Sequence, residues 1–285
     1  LKTGAIIILY NPDTPHLLEM VEALTACNIH TVLVDNSAES HAGIVPEHAD
    51  YLHFPENVGI AAAQNAGIVN LKTASFDAAF VFDQDSHLSH ALLLGLVNQL
   101  EAEMQRNPSV AAIGPTVICG FNNTAQIPRF KQLQQGSNVI QVNQIIASGM
   151  LMLLTHLDTI GLKDETLFID GVDHEWCWRA RNKGFCILMA KDIPMFHKQG
   201  DARHTYLGIT FKRGAPIRLY YQVRNVLKLC RRGYVPLRWK VKNLLALPVR
   251  WLVNRFLFPE GQIRGKYTVM GIRDGIMNRS GKIRL

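Results

Sequence analysis

Two aspartates one residue apart close an apolar run, Phe80-Val81-Phe82-Asp83-Gln84-Asp85-Ser86. An extended segment turns alternate side chains to the same side, so Asp83 and Asp85 converge. Two anionic oxygens aimed at one point suit a hard divalent cation that also holds phosphate oxygens. The plainer alternative is a loop whose aspartate caps a helix over 88–100. A second acidic group, Asp170, Asp173 and Glu175, crowds the start of a helix that Gly184 stops. Crowded carboxylates can keep one of their number ready as a general base. The competing reading is a capped first turn, with Asp173 as N-cap and Glu175 paired to Arg179 four residues on. His197 could be a third metal ligand or a polar loop histidine. Asp35, just past Thr31–Val34, suits hydrogen bonding to the base or ribose of a nucleotide; otherwise it caps a turn.

These groups need a frame. Gly4–Tyr10 is an apolar run stopped by Asn11-Pro12-Asp13, and Leu17, Leu18, Val21 and Leu24 follow at helical spacing. With the strand at Thr31–Val34 they make a βαβ unit, hence a right-handed crossover and a parallel sheet. In open α/β sheets ligands collect beyond the carboxyl ends of strands, which is where Asp35, Asp83 and Asp85 fall. Asn57 reads as the N-cap of a helix of small residues, Val58 to Gly67, whose first amides could meet a phosphate. Gln64 and Asn65 are polar insertions in it. Leu88–Arg106 reads as an amphipathic helix, and Val110–Val117 as a strand broken at Gly114-Pro115. Residues 119–138 read as a loop or edge hairpin over the site. Ser148-Gly149 marks a kink with a close backbone approach, and Phe185–Ala190 a further strand. Trp176 and Ala180 share an apolar helix face. There is no G-x-G-x-x-G and no Walker motif, which argues against a dinucleotide site or a P-loop.

The chain has 285 residues, 48% hydrophobic and 19% charged, enough for one large domain or a domain with an appendage. Its five cysteines include no C-x-x-C pair and read as buried thiols in a reducing compartment. No signal peptide is evident. Asn138–Leu157 is too polar for a membrane span. The expectation is a cytosolic protein. The net charge of +7 is unevenly spread. From Arg203 onward there are 19 Lys/Arg against two acids, a net of +17, while residues 1–202 carry a net of −10. In 235–258, Trp239, Leu244, Leu245, Trp251, Leu252 and Phe256 alternate with Arg238, Lys240, Lys242, Arg250 and Arg255. That is the composition of a helix lying in a membrane interface, interrupted at Pro248. Helices packed on the catalytic domain, or a surface for another subunit in a homo-oligomer, are the alternatives.

Taken in order, these motifs resemble the family 2 glycosyltransferases of the GT-A fold, and within them the bacterial rhamnosyltransferases. The carrying residues are Tyr10-Asn11, Val34-Asp35-Asn36-Ser37, Asn57 to Asn65, Asp83-Gln84-Asp85-Ser86, Ser148-Gly149-Met150, Phe168 to Cys177, His197 with Gly200-Asp201, and Tyr220-Tyr221-x-x-Arg224-Asn225. The likeness spans about residues 4–226. It implies an α/β fold with a mostly parallel central sheet flanked by helices: a GT-A catalytic domain over 1–205 and a basic helical region over 206–285. It implies that Asn11, Asp35, Asn57, Asn65 and Asp83 bind the donor nucleotide. Asp83, Asp85 and His197 would hold Mg²⁺ or Mn²⁺, and Asp173 would be the catalytic base. Asp170, Glu175 and Trp176 fall to the acceptor side or a supporting role. Many relatives carry Glu-Asp where this chain has Val172-Asp173, so Asp170 or Glu175 could share the base's work. The implied reaction is inverting transfer from a nucleotide-sugar donor to a carbohydrate or lipid-linked glycan acceptor. The DQDS form and the Trp176-Cys177 helix point by resemblance to dTDP-L-rhamnose, for polysaccharide or O-antigen assembly. The basic region would meet an anionic membrane on its cytoplasmic face. Rival readings are a UDP-hexose donor on the same fold, or a nucleic-acid-binding protein using the basic tail; nucleic acid is not expected.

Overall fold

Why the chain forms a layered sheet is visible in its first strand, where every side chain of Thr3–Leu9 (β1) is buried. Period-two alternation sends them to opposite faces. Ile6 and Ile8 join Val32, Val34 and Val81 in one apolar layer, and Ala5, Ile7 and Leu9 join Leu33, Phe80 and Phe82 in the other. Each such fully buried Ile, Leu or Phe contributes about 1.5–3 kcal/mol. The structure is a computed structural model and describes residues 1–119, 124–127, 130–132, 138–197, 202–206 and 209–284.

β1 pairs in parallel with β2 (His30–Asp35) and β4 (Ala78–Asp83), and β2 with β3 (Asp50–His53). α1 (Thr14–Ala26) and α3 (His90–Arg106) cover one face, and α2 (Ile60–Thr73) the other. β5 (Val110–Cys119), β6 (Ala125–Gln126), β7 (Phe130–Gln132), β8 (Val139–Val142) and β9 (Met150–Leu153) follow. After α4 (Leu157–Ile160) and α5 (Val172–Asn182) comes β10 (Cys186–His197). The sheet order is β3-β2-β1-β4-β9-β5-β10-β8-β7, with β6 on β5. β9 lies antiparallel between β4 and β5, while β10 runs parallel to β5. The α/β class and helix-flanked sheet are as expected, but the sheet is mixed rather than mostly parallel: β3-β2-β1-β4 is its parallel half, and β6, β7, β8 and β9 all pair antiparallel.

Two boundaries read from the sequence are corrected. Gly114-Pro115 does not break β5: Gly114 and Pro115 pair with Met189 and Ala190, and the register shifts lie between Cys186 and Ile187 and between Ala190 and Pro194 of β10. Pro248 does not interrupt the basic helix, which runs unbroken as α7 (Leu237–Phe256) between α6 (Pro216–Cys230) and α8 (Gly261–Ile276). The hairpin of β11 (Ala202–Tyr206) and β12 (Ile209–Arg213) straddles the 205/206 boundary. α8 lies so close on α6 that a Cβ at Gly271 would stand 2.6 Å from the Tyr220 carbonyl. The expected hairpin over the site, 119–138, falls partly outside the described residues.

Candidate active site

Asn11, Asp35, Asp83 and Asp85 stand where β1, β2 and β4 end, while Asp170, Asp173 and Glu175 stand at the start of α5. Gln84 exchanges two hydrogen bonds with the Tyr10 backbone, accepting from its N–H at 2.6 Å and donating to its carbonyl at 3.0 Å. This ties the ends of β1 and β4 together beside Asp83 and Asp85. Asp83 accepts a hydrogen bond from the Ser148 hydroxyl, and Asp85 is exposed. Neither caps α3, whose N-cap is Ser89, accepting from the Leu92 N–H at 3.2 Å. The capping alternative for this motif is thereby removed. Gly149 immediately precedes β9 at φ +82°, where a Cβ would lie 2.8 Å from Pro115 and 2.9 Å from Met195; this is the close approach expected there.

Asp35 is fully buried. Its carboxylate accepts from the Ser37 N–H at 3.0 Å, the His41 N–H at 3.1 Å, the His41 ring at 2.8 Å and the Tyr51 hydroxyl at 2.7 Å. Burial alone would raise its pKa, but the hydrogen bonds from Ser37, Tyr51 and His41 outweigh it and hold the group down to about 2. The Asp35 oxygens thereby order the loop after β2. Ser37 passes the order on, its hydroxyl accepting from the Asn11 N–H at 2.8 Å, and Asn11 itself stands exposed at φ +49°.

Asn57 does not cap α2. Gly59 is the cap residue, at φ +88° and with its would-be Cβ 2.5 Å from the Phe168 ring. The Asn57 side-chain Oδ1 instead accepts from the Asn36 side-chain amide at 3.0 Å and from the Gly59 N–H at 2.9 Å. Asn65 is likewise used by the frame: its amide donates to the Lys163 carbonyl at 3.0 Å and Glu165 at 2.7 Å and accepts from the Lys163 N–H at 2.9 Å. Gln64, beside it, is fully buried, and both its amide atoms lack a partner among the described residues; so does the buried Ser86 hydroxyl.

The three acids at the start of α5 have different environments. Glu175 is 0% exposed and accepts from Arg179 at 2.8 and 2.9 Å and from Tyr234 at 2.6 Å, with Arg232 at 3.0 Å. Burial, and then Glu175, push the Tyr234 hydroxyl up to about 12. Asp170 is 19% exposed and forked by Arg218 at 3.1–3.2 Å. Asp173 is 25% exposed, and its neighbour is the buried Lys163 ammonium, 3.3 Å from Oδ1. It is not the N-cap, which is Gly171 at φ +86° with no side-chain capping bond. Trp176 is 0% exposed, its ring N–H donating to the Gly161 carbonyl at 3.0 Å, so it packs the core and faces no acceptor. Cys177 beside it is fully buried, and burial pushes its thiol up to about 12; Cys27, Cys186 and Cys230 are only half-buried, against the expectation of buried thiols throughout.

The loop that carries Asp170 and leads into α5 is held in an unusual backbone. Phe168 (φ +64°, ψ −61°) is the centre of a γ-turn of the rare, positive-φ hand, closed by the Ile169 N–H on the Leu167 carbonyl at 2.7 Å. Asp170 follows at φ +66°. Asn225 on α6 donates from one amide nitrogen to the carbonyls of Leu167, Ile169 and Asp170 at 2.9, 2.7 and 2.8 Å. The adjacent Arg224 guanidinium donates to Leu167 at 2.8 Å, and Tyr221 stacks on the Phe168 ring at 4.9 Å. Sequence reasoning missed Lys163, Ser148 as the partner of Asp83, and the Arg224-Asn225 grip. Only the Ser148-Gly149 and Arg224-Asn225 motifs gave any signal, and neither named its target.

Asp83 and Asp85 fit a divalent cation in kind: hard oxygen donors at a strand end, one half-buried and anchored, one open to solvent and phosphate. Among the described residues no three His, Cys, Asp or Glu side chains come together. The His197 backbone closes β10, opposite Cys119, but its side chain lies outside what is described.

No family model matches the chain. It is 30% identical over 256 residues to the dTDP-rhamnosyl transferase RfbF of Shigella flexneri, covering 85% of this chain and 84% of that protein. Among solved structures, S. aureus TarS 1-349 superposes over 97% of this chain and 81% of its own, with TM-score 0.59 and 12% identity. GalNAc-T7, crystallised with UDP, GalNAc and Mn²⁺, superposes over 97% of this chain but 56% of its own, with TM-score 0.58 and 13% identity. At these identities the two structures speak for the fold, and RfbF for the family. The chain belongs to the dTDP-rhamnosyl transferase family of glycosyltransferases, built on the GT-A fold.

Proposed function

We propose that the protein transfers L-rhamnose from dTDP-L-rhamnose, with inversion, to a hydroxyl of a carbohydrate or lipid-linked glycan in polysaccharide or O-antigen assembly. Asp173 is the base. The observation that carries this is the division of labour among the three acids: arginines neutralise Asp170 and Glu175, whereas Asp173 meets solvent with a single lysine behind it. Its free oxygen takes the acceptor proton while the acceptor oxygen attacks the anomeric carbon. The bond from that carbon to the diphosphate oxygen breaks, and its electron pair leaves with the nucleoside diphosphate. The donor nucleotide lies over the loop that Asp35 orders, with Asn11 and the Asn36–Asn57 pair at its rim. Asp83 and Asp85, with His197, would hold Mg²⁺ or Mn²⁺, which when bound offsets charge on the departing diphosphate.

The basic helices support a place on the inner face of the cytoplasmic membrane. No helix among the described residues is long and apolar enough to cross a bilayer. α7 instead exposes Leu237 (74%) and Leu245 (73%), with Val241, Val249, Leu252 and Phe256 along the same side of the helix. Arg238 and Lys242 stand beside them.

A donor panel scored by nucleoside diphosphate release tests the donor; faster turnover of a UDP-hexose than of dTDP-L-rhamnose would overturn it. Asp173→Asn keeps the shape but cannot accept a proton, so kcat should fall about 10²- to 10⁴-fold with donor KM nearly unchanged. An active Asp173→Asn enzyme alongside a dead Asp170→Asn or Glu175→Gln enzyme would assign the base elsewhere.

A further inference from the structure

Lys163 is a solitary basic residue in Gly161-Leu162-Lys163-Asp164, yet its side chain is 0% exposed. A buried ammonium is costly unless something compensates its charge. Its surroundings are Asp173 Oδ1 at 3.3 Å, the Met150 sulfur at 3.6 Å and the Trp176 ring at 5.1 Å. Asp173 is its one salt-bridge partner among the described residues. The lysine cannot drift, because Asn65 grips its backbone from both sides, accepting from the N–H at 2.9 Å and donating to the carbonyl at 3.0 Å. Met150 is two residues from Ser148, whose hydroxyl bonds Asp83. The ammonium therefore sits between the strand that steadies Asp83 and the helix that carries Asp173.

We propose that Lys163 is a positioning residue for the transfer reaction: from beneath α5 it fixes Oδ1 of Asp173 and leaves Oδ2 turned to the acceptor hydroxyl. The proposal rests on Asp173 being the base. Asn65, expected to touch the donor, is the outer member of the same chain of contacts, Asn65 to Lys163 to Asp173. A carboxylate with one oxygen held loses the rotations that would carry its other oxygen off line, and misplacement by about 1 Å can cost about 10²-fold in rate.

The test is Lys163→Met, which keeps the length of the side chain and removes its charge, studied in the full chain alone and combined with Asp173→Asn. We expect kcat to fall about 10- to 100-fold with donor KM unchanged; Tm should fall as well, since removing one partner of a buried pair leaves the other uncompensated, but modestly because the Asp173 carboxylate is partly solvated. A residue that only supported the fold would lower Tm and leave the kcat of the folded enzyme unchanged. In the Asp173→Asn background the same substitution should cost almost nothing more. Wild-type kcat in Lys163→Met beside a dead Asp173→Asn enzyme would overturn the proposal while leaving the base intact. Full additivity of the two substitutions would overturn it as well. An active Asp173→Asn enzyme would instead remove the reading on which the proposal stands. If Lys163→Met does not fold, Lys163→Gln is judged by the same kcat, KM and additivity criteria.

Discussion

Asn225→Ala removes the side-chain nitrogen whose two hydrogens are shared among three carbonyls of the loop before α5. The Leu167 carbonyl keeps the Arg224 guanidinium at 2.8 Å, but those of Ile169 and Asp170 lose the hydrogen bonds that Asn225 gave them at 2.7 and 2.8 Å. Two partly buried acceptors left bare cost at most about 1–3 kcal/mol each, so no more than about 2–6 kcal/mol if nothing moves. Against this stands the strain that the grip maintains. Phe168 at φ +64°, ψ −61° stores about 1–3 kcal/mol, and Asp170 at φ +66° less, since aspartate tolerates that region. The two sums are comparable, so the loop should relax rather than transmit the whole cost to the fold. Tm should then fall by only a few degrees, while kcat falls about tenfold or more because Asp173 loses its seat. Steady-state kinetics, thermal unfolding and hydrogen exchange at the Ile169 amide, which closes the γ-turn, measure the three consequences. Wild-type kcat with unchanged exchange at Ile169 would refute the idea that α6 holds the loop.

Other consequences follow from the same contacts. Asp35 is held down to about 2 against an ordinary 3.8, so it stabilises the fold above about pH 4 and loses that contribution as pH falls toward 2. Asp35→Asn should therefore cost about 2 kcal/mol at neutral pH, with the gap to wild type in denaturant titrations closing below pH 4; an equal gap at pH 2.5 and 7 would count against it. Chelator should abolish transfer and Mn²⁺ or Mg²⁺ restore it, with Asp85→Ala inactive but folded by circular dichroism; full activity in chelator would sink the metal assignment. Vesicle binding should grow with anionic lipid and fall, though not to zero, at high salt, and exchanging Arg238, Lys240, Lys242, Arg250 and Arg255 for Gln should release the protein. No binding by the unmodified protein would give the exposed α7 stripe to a partner subunit instead.

How far the sequence was legible depends on the range over which each signal acts. The βαβ start and the Asp83/Asp85 strand end are local patterns, set by alternation and by the turn that follows, and both are present at the expected positions. The family order of motifs carried the fold class, which the comparisons support over nearly the whole chain. The caps were misread because glycines at positive φ, Gly59 and Gly171, took the places that Asn57 and Asp173 would fill by side-chain chemistry. A glycine's use of φ is decided by what packs against it, here Phe168 on Gly59, and no spacing rule announces it.

The roles of Asn65, Asp35 and Glu175 were hidden for a related reason. A buried polar side chain satisfies itself wherever the tertiary fold supplies a partner, and those partners lie far off in sequence: Asn65 on Lys163, and Glu175 on Arg232 and Tyr234. Residue type marked these positions as costly to bury, hence as positions with a purpose. It could not separate groups that would touch a ligand from groups that hold the residues that do. In the structure that distinction is drawn by saturation. Asp35, Asn65 and Glu175 have their oxygens and nitrogens occupied by protein, whereas Asp85 is exposed and Asp173 keeps an oxygen free. A site built this way places few groups at the surface and spends many beneath them, so if Asp173 is the base, substitutions at Lys163 below it and Asn225 behind its loop should change the rate although neither residue touches a substrate.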